Sequence, residues 1–265
     1  AVGGFTACFP VPGTIVAGRN DVSALGAQSR IPAVAPFTGL LPGAGASTAY
    51  FAGAGTAPGE ETELALVNPQ AHDARVALRF YLTGGPPFER GVSVPAHTRV
   101  TLLLSRYVPS EHGVGLRVQA DQVIAVQMIV RRARRNPYTT LGSGLLAQRW
   151  YLAEGYTNLT FHETLYLLNP GRAGAQVQVQ LLPFNGRHAR TVRVSVAGQR
   201  VLRLDVNRLY PHVSLAAVVS SDRPISVARV LTFADGSYGA TANTGTALAA
   251  TTWLFAEGSA AHGFQ

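Results

Sequence analysis

The run QVQVQLL alternates without a break: Val177, Val179 and Leu181 fall on one side, Gln176, Gln178 and Gln180 on the other. A period of two is the signature of a strand with one face buried and one in water. The pattern returns in TVRVSV, with Val192, Val194 and Val196 inward, and in VLRLDV, with Leu202, Leu204 and Val206 inward; ISVARVL follows. Earlier in the chain, RVALRFYL places Val76, Leu78, Phe80 and Leu82 on a common face. Turn signals separate the runs: TGGPP, FNGR, ADGS and the Asn-Pro pairs at 68–69 and 169–170. No stretch sustains a helical period, although SRYVPSEHG and NRLYPHV are expected to form short helical turns where the chain crosses between sheets. The fold class predicted is all-β, with about seven strands per hundred residues at the spacing of an antiparallel, immunoglobulin-like sandwich.

The pattern also repeats at long range. An offset of 101 places Ala52 on Ala153, Asn68-Pro69 on Asn169-Pro170, Arg99 on Arg200 and Asp121 on Asp222, with a compensated slip between Val94 and Arg99. An offset of 103 places Ala153 on Ala256 and Phe161 on Phe264. Four segments follow: an extended N-terminal segment, 1–47; a first sandwich, 48–149; a second, 150–252; and a stub, 253–265, that begins a third copy. Two copies without a Pro/Gly/Ser-rich linker are expected to abut end to end. Residues 1–47 are rich in Gly, Ala and Pro, and GTIVAG and RIPAVAPF read as extended pieces.

The second copy opens Trp150-Tyr151-Leu152-Ala153-Glu154-Gly155 and continues, after a polar spacer, to Leu165-Tyr166-Leu167-Leu168-Asn169-Pro170. With the later SSDRPISVARV, this resembles tandem repeats of large secreted surface proteins of filamentous bacteria. The first copy departs from that pattern, with Ala49 in place of the Trp and Gly53 in place of the Glu. The resemblance implies β-sandwich modules with structural or adhesive roles and carries over no catalytic residues.

Composition narrows the functional classes. Of 265 residues, 47% are hydrophobic and 14% charged, which supports packed cores and argues against intrinsic disorder. No apolar run is long enough for a membrane-spanning helix, and no charged-then-apolar leader stands at the start, so a signal peptide is expected to have been removed. All 22 basic residues are Arg, and a single Met and a single Cys leave little to oxidise; a durable, exposed protein, from a hot habitat, fits these features. The net charge of +8 invites a nucleic-acid reading, but the arginines are scattered along alternating strands and no nucleic-acid motif is present. The cluster Arg131 to Arg135 reads as a solvated strand end before Asn136-Pro137, or as a contact with an anionic surface or neighbouring subunit. Cys8 excludes an intrachain disulfide framework.

Candidate chemistry is sparse. The seven histidines stand singly in turn-like stretches, without metal-ligand spacing. Glu60, Glu61 and Glu63 read as a solvated acidic turn, and Asp121 and Asp222 as turn formers. In each Asn-Pro pair, Asn caps a turn and Pro ends the ladder. Asn158-Leu159-Thr160 is a sequon and makes Asn158 a candidate for glycosylation. Trp150 and Trp253 are expected at the junctions between modules, with stacking on sugars as the alternative.

These readings converge on a non-catalytic extracellular structural protein, with neither cofactor nor metal. It would self-assemble head to tail into a filament or tube. Trp253, Leu254, Phe255 and Phe264 of the stub, and Phe5, Phe9, Ile15 and Val16 of the N-terminal segment, are the expected interface, because large apolar side chains left in water cost about 1.5–3 kcal/mol each. The stub has two possible burials: on the second copy of its own chain, or on the next subunit. The partner expected is another copy of the chain, with cell-surface glycans as the alternative for an adhesive module; neither nucleic acid nor a membrane span is expected.

Overall fold

The computed structural model describes residues 18–25, 32–39, 47–108, 110–132, 135–184, 186–233, 239–249 and 251–252. The chain divides into two units, Ala1–Ala46 and Ser47–Gln265. Within the first, β1 (Gly18–Leu25) and β2 (Pro32–Gly39) form an antiparallel hairpin in register from Gly18↔Gly39 to Leu25↔Pro32. RIPAVAPF thus contributes to β2, and Gly18 of GTIVAG opens β1; the rest of GTIVAG lies outside the described residues.

The larger unit is antiparallel β throughout. Its first repeat contains β3 (Ser47–Ala54), β4 (Glu60–Asn68), β5 (Ala74–Leu82), β6 (Phe88–Val94), β7 (Thr98–Leu103), β8 (Val114–Ala120), β9 (Ala125–Arg132) and β10 (Arg135–Leu141). Two four-stranded sheets result, ordered β3-β8-β5-β6 and β10-β9-β4-β7. Their inward residues meet in one core: Val76, Leu78 and Phe80 from β5 and Leu116 and Val118 from β8 face Leu64, Leu66, Met128 and Val130 from β4 and β9.

The second repeat contains β11 (Ala147–Leu152), β12 (Tyr156–Thr157), β13 (Phe161–Asn169), β14 (Ala175–Pro183), β15 (Arg190–Val196), β16 (Arg200–Asp205), the short helix α1 (Val206–Leu209), β17 (Val213–Phe233) and β18 (Gly239–Thr244). Here β17 is one strand of 21 residues doing the work of β8 and β9. Its first half lies between β11 and β14, its second half between β13 and β18. The crossing point at Asp222–Pro224 is exposed, and Ile225 onward turns into the core. A 3-10 turn at Leu104–Arg106 and α1 occupy the places foreseen for helical turns, with Leu104 and Val206 buried.

The strand order refines the immunoglobulin-like expectation. Second–fifth and third–sixth strand pairings match that fold (β4 with β7, β5 with β8). The first strand pairs with the sixth instead of the second, and the seventh pairs with the second instead of the sixth. β3 and β9 have therefore exchanged sheets relative to an immunoglobulin domain.

Four repeated devices hold both copies in shape. Asn68, fully buried, donates from Nδ2 to the carbonyls of His72 (2.8 Å), Val94 (2.9 Å) and Pro95 (3.3 Å), and its Oδ1 accepts from the Gln70 amide at 3.0 Å. Asn169 repeats this with Ala173 (2.8 Å), Val196 (3.0 Å), Ala197 (3.3 Å) and the Gly171 amide (3.0 Å). Asn-Pro thus caps its own turn, as expected, and also ties that turn to the β6–β7 or β15–β16 connection. Asp121 and Asp222 accept from the amides of Arg75 and Gln176, both at 2.8 Å, pinning the start of the neighbouring strand. Left-handed backbone recurs at His97 and Gln199, and at Ser110 and His212. Finally, Tyr50 and Ser143 exchange backbone hydrogen bonds, as Tyr151 and Thr246 do. Ser143 and Thr246 differ by 103, the offset expected for the third copy.

Three expectations are corrected. In the ladders Asn68 pairs with Thr98 and Asn169 with Arg200, so Thr98, and not Arg99, is the counterpart of Arg200. Trp150 lies inside the core of the second repeat, its Nε1 donating to the carbonyls of Ile225 (3.0 Å) and Ala147 (3.2 Å), and not at a junction. Glu60 and Glu63 belong to β4 itself and pair with Arg132 (3.1 Å) and Arg131 (3.0 Å), so neither the acidic group nor the start of the arginine cluster is merely solvated. Strand β10 also continues through Asn136-Pro137.

Candidate functional site

The repeats touch through sheet faces. In β13 the residues Leu165 to Asn169 are all buried, because both sides of the strand are covered. Leu165 and Leu167 point into the second repeat's core, whereas Tyr166 and Leu168 join the first repeat's cluster with Val201, Ala228 and Val230. The signal was in the sequence: LYLL abandons strict alternation, as strands buried on both faces do.

The receiving surface is the outer face of the β3-β8-β5-β6 sheet. It is hollowed by glycines. A Cβ added at Gly53 would fall 2.5 Å from the Tyr166 ring, and one at Gly115 would fall 2.7 Å from Leu168. Tyr81, on the outer side of β5, is buried in the same cluster. Burial holds the phenols of Tyr138 and Tyr166 in their neutral form, raising both above the ordinary range despite nearby arginines. A polar depression beside this contact is lined by Arg132 of the first repeat and by His162, Thr164, Arg203 and Asp205 of the second.

Among the described residues, nothing covers the equivalent outer face in the second repeat. A groove there is lined by Glu154, Gly155, Leu182, Phe184, Leu215 and Ala216. Leu182 is 37% and Phe184 70% exposed. Beneath the groove sits a buried charge cluster. Arg229, 4% exposed, donates from Nη2 to Glu154 Oε2 at 3.1 Å, leaving Nη1 without a partner. Glu163, 1% exposed, has neither carboxylate oxygen in a hydrogen bond of normal geometry. Burial pushes its carboxyl up to about 7; Arg229 pulls it down, Glu154 pushes it up, and the Tyr156 amide leaning toward it pulls it down. Gly155 is required here, since a Cβ would overlap the Glu163 carboxyl. The Ala-Glu-Gly phrase therefore supplies one partner of Arg229 and the space for Glu163.

The cluster holds two carboxylates around a guanidinium, so its positive centre is already internal. Among the described residues, no group of three or more His, Cys, Asp or Glu side chains gathers as metal ligands. No helix of the described residues is long and apolar enough to cross a membrane. Of the sequence-predicted sites, Asn158 lies in the loop between β12 and β13, where its Oδ1 accepts from the amides of Thr160 and Phe161, both at 2.7 Å, and from Thr160 Oγ1 at 3.0 Å. Trp253, Leu254, Phe255, Phe264, Phe5, Phe9, Ile15 and Val16 lie outside the described residues, as does Cys8.

A family model matches residues 43–262, so the chain belongs to the family of unknown function DUF5719. Among solved structures, a similar one is the crystal structure of Thermotoga maritima 1070, at 18% identity and a TM-score of 0.35, covering 38% of this chain and 93% of that one. Among curated proteins, none matches.

Proposed function

We propose that this member of DUF5719 is a non-catalytic extracellular structural protein that self-assembles head to tail into a filament or tube, with residues 1–30 and 253–265 at its joints. The observation that supports this reading is the burial of one repeat's outer sheet face, Tyr166 and Leu168, on the glycine-hollowed outer face of the other. Stacked repeats bury a continuous apolar core in this way, each unit contacting its neighbours. A heterologous contact whose rotation does not close generates an open helical polymer. The Trp-aromatic-x-Ala-Glu-Gly resemblance supports a secreted, surface location. The recurrence of Asn68/Asn169 and Asp121/Asp222 in identical backbone-holding roles supports structure over chemistry at the polar positions the repeats share.

Sedimentation and negative-stain microscopy of the parent, and of variants lacking 253–265 or 1–30, test the reading. Concentration-dependent polymers are expected from the parent and shorter species from each deletion. A parent that stays monomeric at high concentration, or deletions that assemble like the parent, would overturn it.

A second reading, a glycan-binding adhesive module, is favoured by one feature: Phe184, an exposed aromatic on the rim of a groove that also carries Glu154. Titration calorimetry against oligosaccharides, with Phe184→Ala abolishing any heat, tests it.

A further inference from the structure

We infer that the open groove of the second repeat, on the outer face of its β11-β17-β14-β15 sheet, docks a second copy of this chain through the outer face of that copy's β10-β9-β4-β7 sheet. The inference rests on the self-assembly reading and adds a sheet-face contact to the joints at residues 1–30 and 253–265. The two surfaces are the unpartnered counterparts of surfaces that already meet inside the molecule. Between the repeats, Gly53 and Gly115 receive Tyr166 and Leu168; Val201 lies near Gly113, 3.9 Å from where its Cβ would be, although Thr83 of the first repeat is nearer, at 2.9 Å. Ladder register assigns Glu154, Ser214 and Ala216 to the receiving positions in the second repeat. It assigns Ala65, Arg99 and Val67 to the inserting positions in the first.

Size compensates at two of the three contacts; at the third, Ser214 and Arg99 are both larger than Gly113 and Val201. Inside the molecule, glycine faces tyrosine and glycine faces leucine. Between copies, glutamate would face alanine and alanine would face valine. A groove made shallower by Glu154 and Ala216 thus meets a face made flatter by Ala65 and Val67. Had the second repeat kept Tyr166-like bulk as its partner, Glu154 would block it; the internal contact needs Gly53 for that reason. The third pair sets the exposed Arg99 against the exposed Ser214, a polar contact. Both surfaces leave large apolar groups in water: Leu182 and Phe184 in the groove, and Val67 (38% exposed) on the face. Leu141 instead lines the small cavity between the repeats, with Gly53, Ala242 and Thr244, and belongs to the internal contact. Groove and face lie on different repeats, so the contact is heterologous and leaves one of each free at every addition.

The test uses two full-length variants altered only at exposed positions. The groove variant carries Leu182→Asp and Phe184→Ser; the face variant carries Val67→Asp. Each alone is expected to associate at least about tenfold more weakly than the parent, because a charge replaces an apolar group in a desolvated contact. Mixed one to one, they are expected to form a dimer and nothing larger, since one keeps its face and the other its groove. Circular dichroism checks the fold. Should either variant unfold, Val67→Cys/Ala216→Cys in a Cys8→Ser background replaces them, and oxidation is expected to produce a ladder of cross-linked multimers. If the parent polymerises while the variants assemble like it, or the mixture remains monomeric, or no ladder forms, this contact is wrong and the self-assembly reading survives. If the parent itself is monomeric, both fall, and they fall equally if association begins only on deleting 253–265, since the groove is then filled within its own chain.

Discussion

Thr62 and Glu163 stand at the same place in the two repeats, second position before the central Leu-x-Leu of β4 and β13, and they solve burial differently. Thr62 is fully buried and neutral: its hydroxyl donates to the Gly55 carbonyl at 2.6 Å and accepts from the Gly55 amide at 3.2 Å. Glu163 is equally buried but charged when ionised, with Arg229 and Glu154 around it. Their neighbours change in concert: Met128 stands where Arg229 stands, and Gly53 where Glu154 stands. The neutral set lies where the other repeat covers it; the charged set lies beneath the open groove. A carboxylate under a second sheet would lose its water without gaining partners, a cost no repeat contact repays. Glu154 keeps its water and can hold Arg229.

Moving the charged set into the covered position is the strongest way to break that comparison. Gly53→Glu would drive a side chain into the Tyr166 ring and bury a carboxylate beside Met128. A loss of about 3–5 kcal/mol is expected, read as a lower denaturant midpoint. Glu163→Gln sharpens it from the other side. The Glu163 carboxyl is raised by burial to about 7 against an ordinary 4.5, so its contribution is full below about pH 4.5 and is lost as pH rises through 7. Parent and variant should therefore be alike at pH 4, and the variant should be more stable at pH 8 by on the order of 3 kcal/mol. A difference that does not grow with pH in urea titrations would contradict this.

The shared devices should respond alike in both repeats. Asn68→Ala and Asn169→Ala each strand buried carbonyls, and each should cost about 2 kcal/mol in equilibrium unfolding. Unequal losses would mean the brackets are not equivalent. Asp121→Ala and Asp222→Ala remove one exposed acceptor from a strand-initiating amide and should cost about 1 kcal/mol each, again as a matched pair.

Much of the fold was legible because its signals are local. Period-two runs located the strands, Asn68-Pro69 and Asn169-Pro170 marked the ends of two of them, and the repeat offset aligned the two copies. Arg99 misled because a one-residue slip in a loop looks the same in sequence whether it is closed before or after the strand. Trp150 misled because a conspicuous residue at the start of a repeat says nothing about which side of its strand faces the core. The candidate site was hardly legible: nothing in the sequence near Gly53, Gly115 or Gly155 says which side chain fills the space beside the glycine, and nothing near Glu163 says that it is buried.

The sequence by itself determined that the chain is built of β-strands, where most of them end and that they recur in two copies, since backbone preference and side-chain alternation act over a few residues. Only the tertiary structure decided that β3 and β9 exchange sheets relative to an immunoglobulin domain, that Tyr166 enters the hollow at Gly53, and that Glu163 is buried. Those outcomes depend on which faces come together across about a hundred residues of chain, and burial is a property of the assembled surfaces, not of any segment within them.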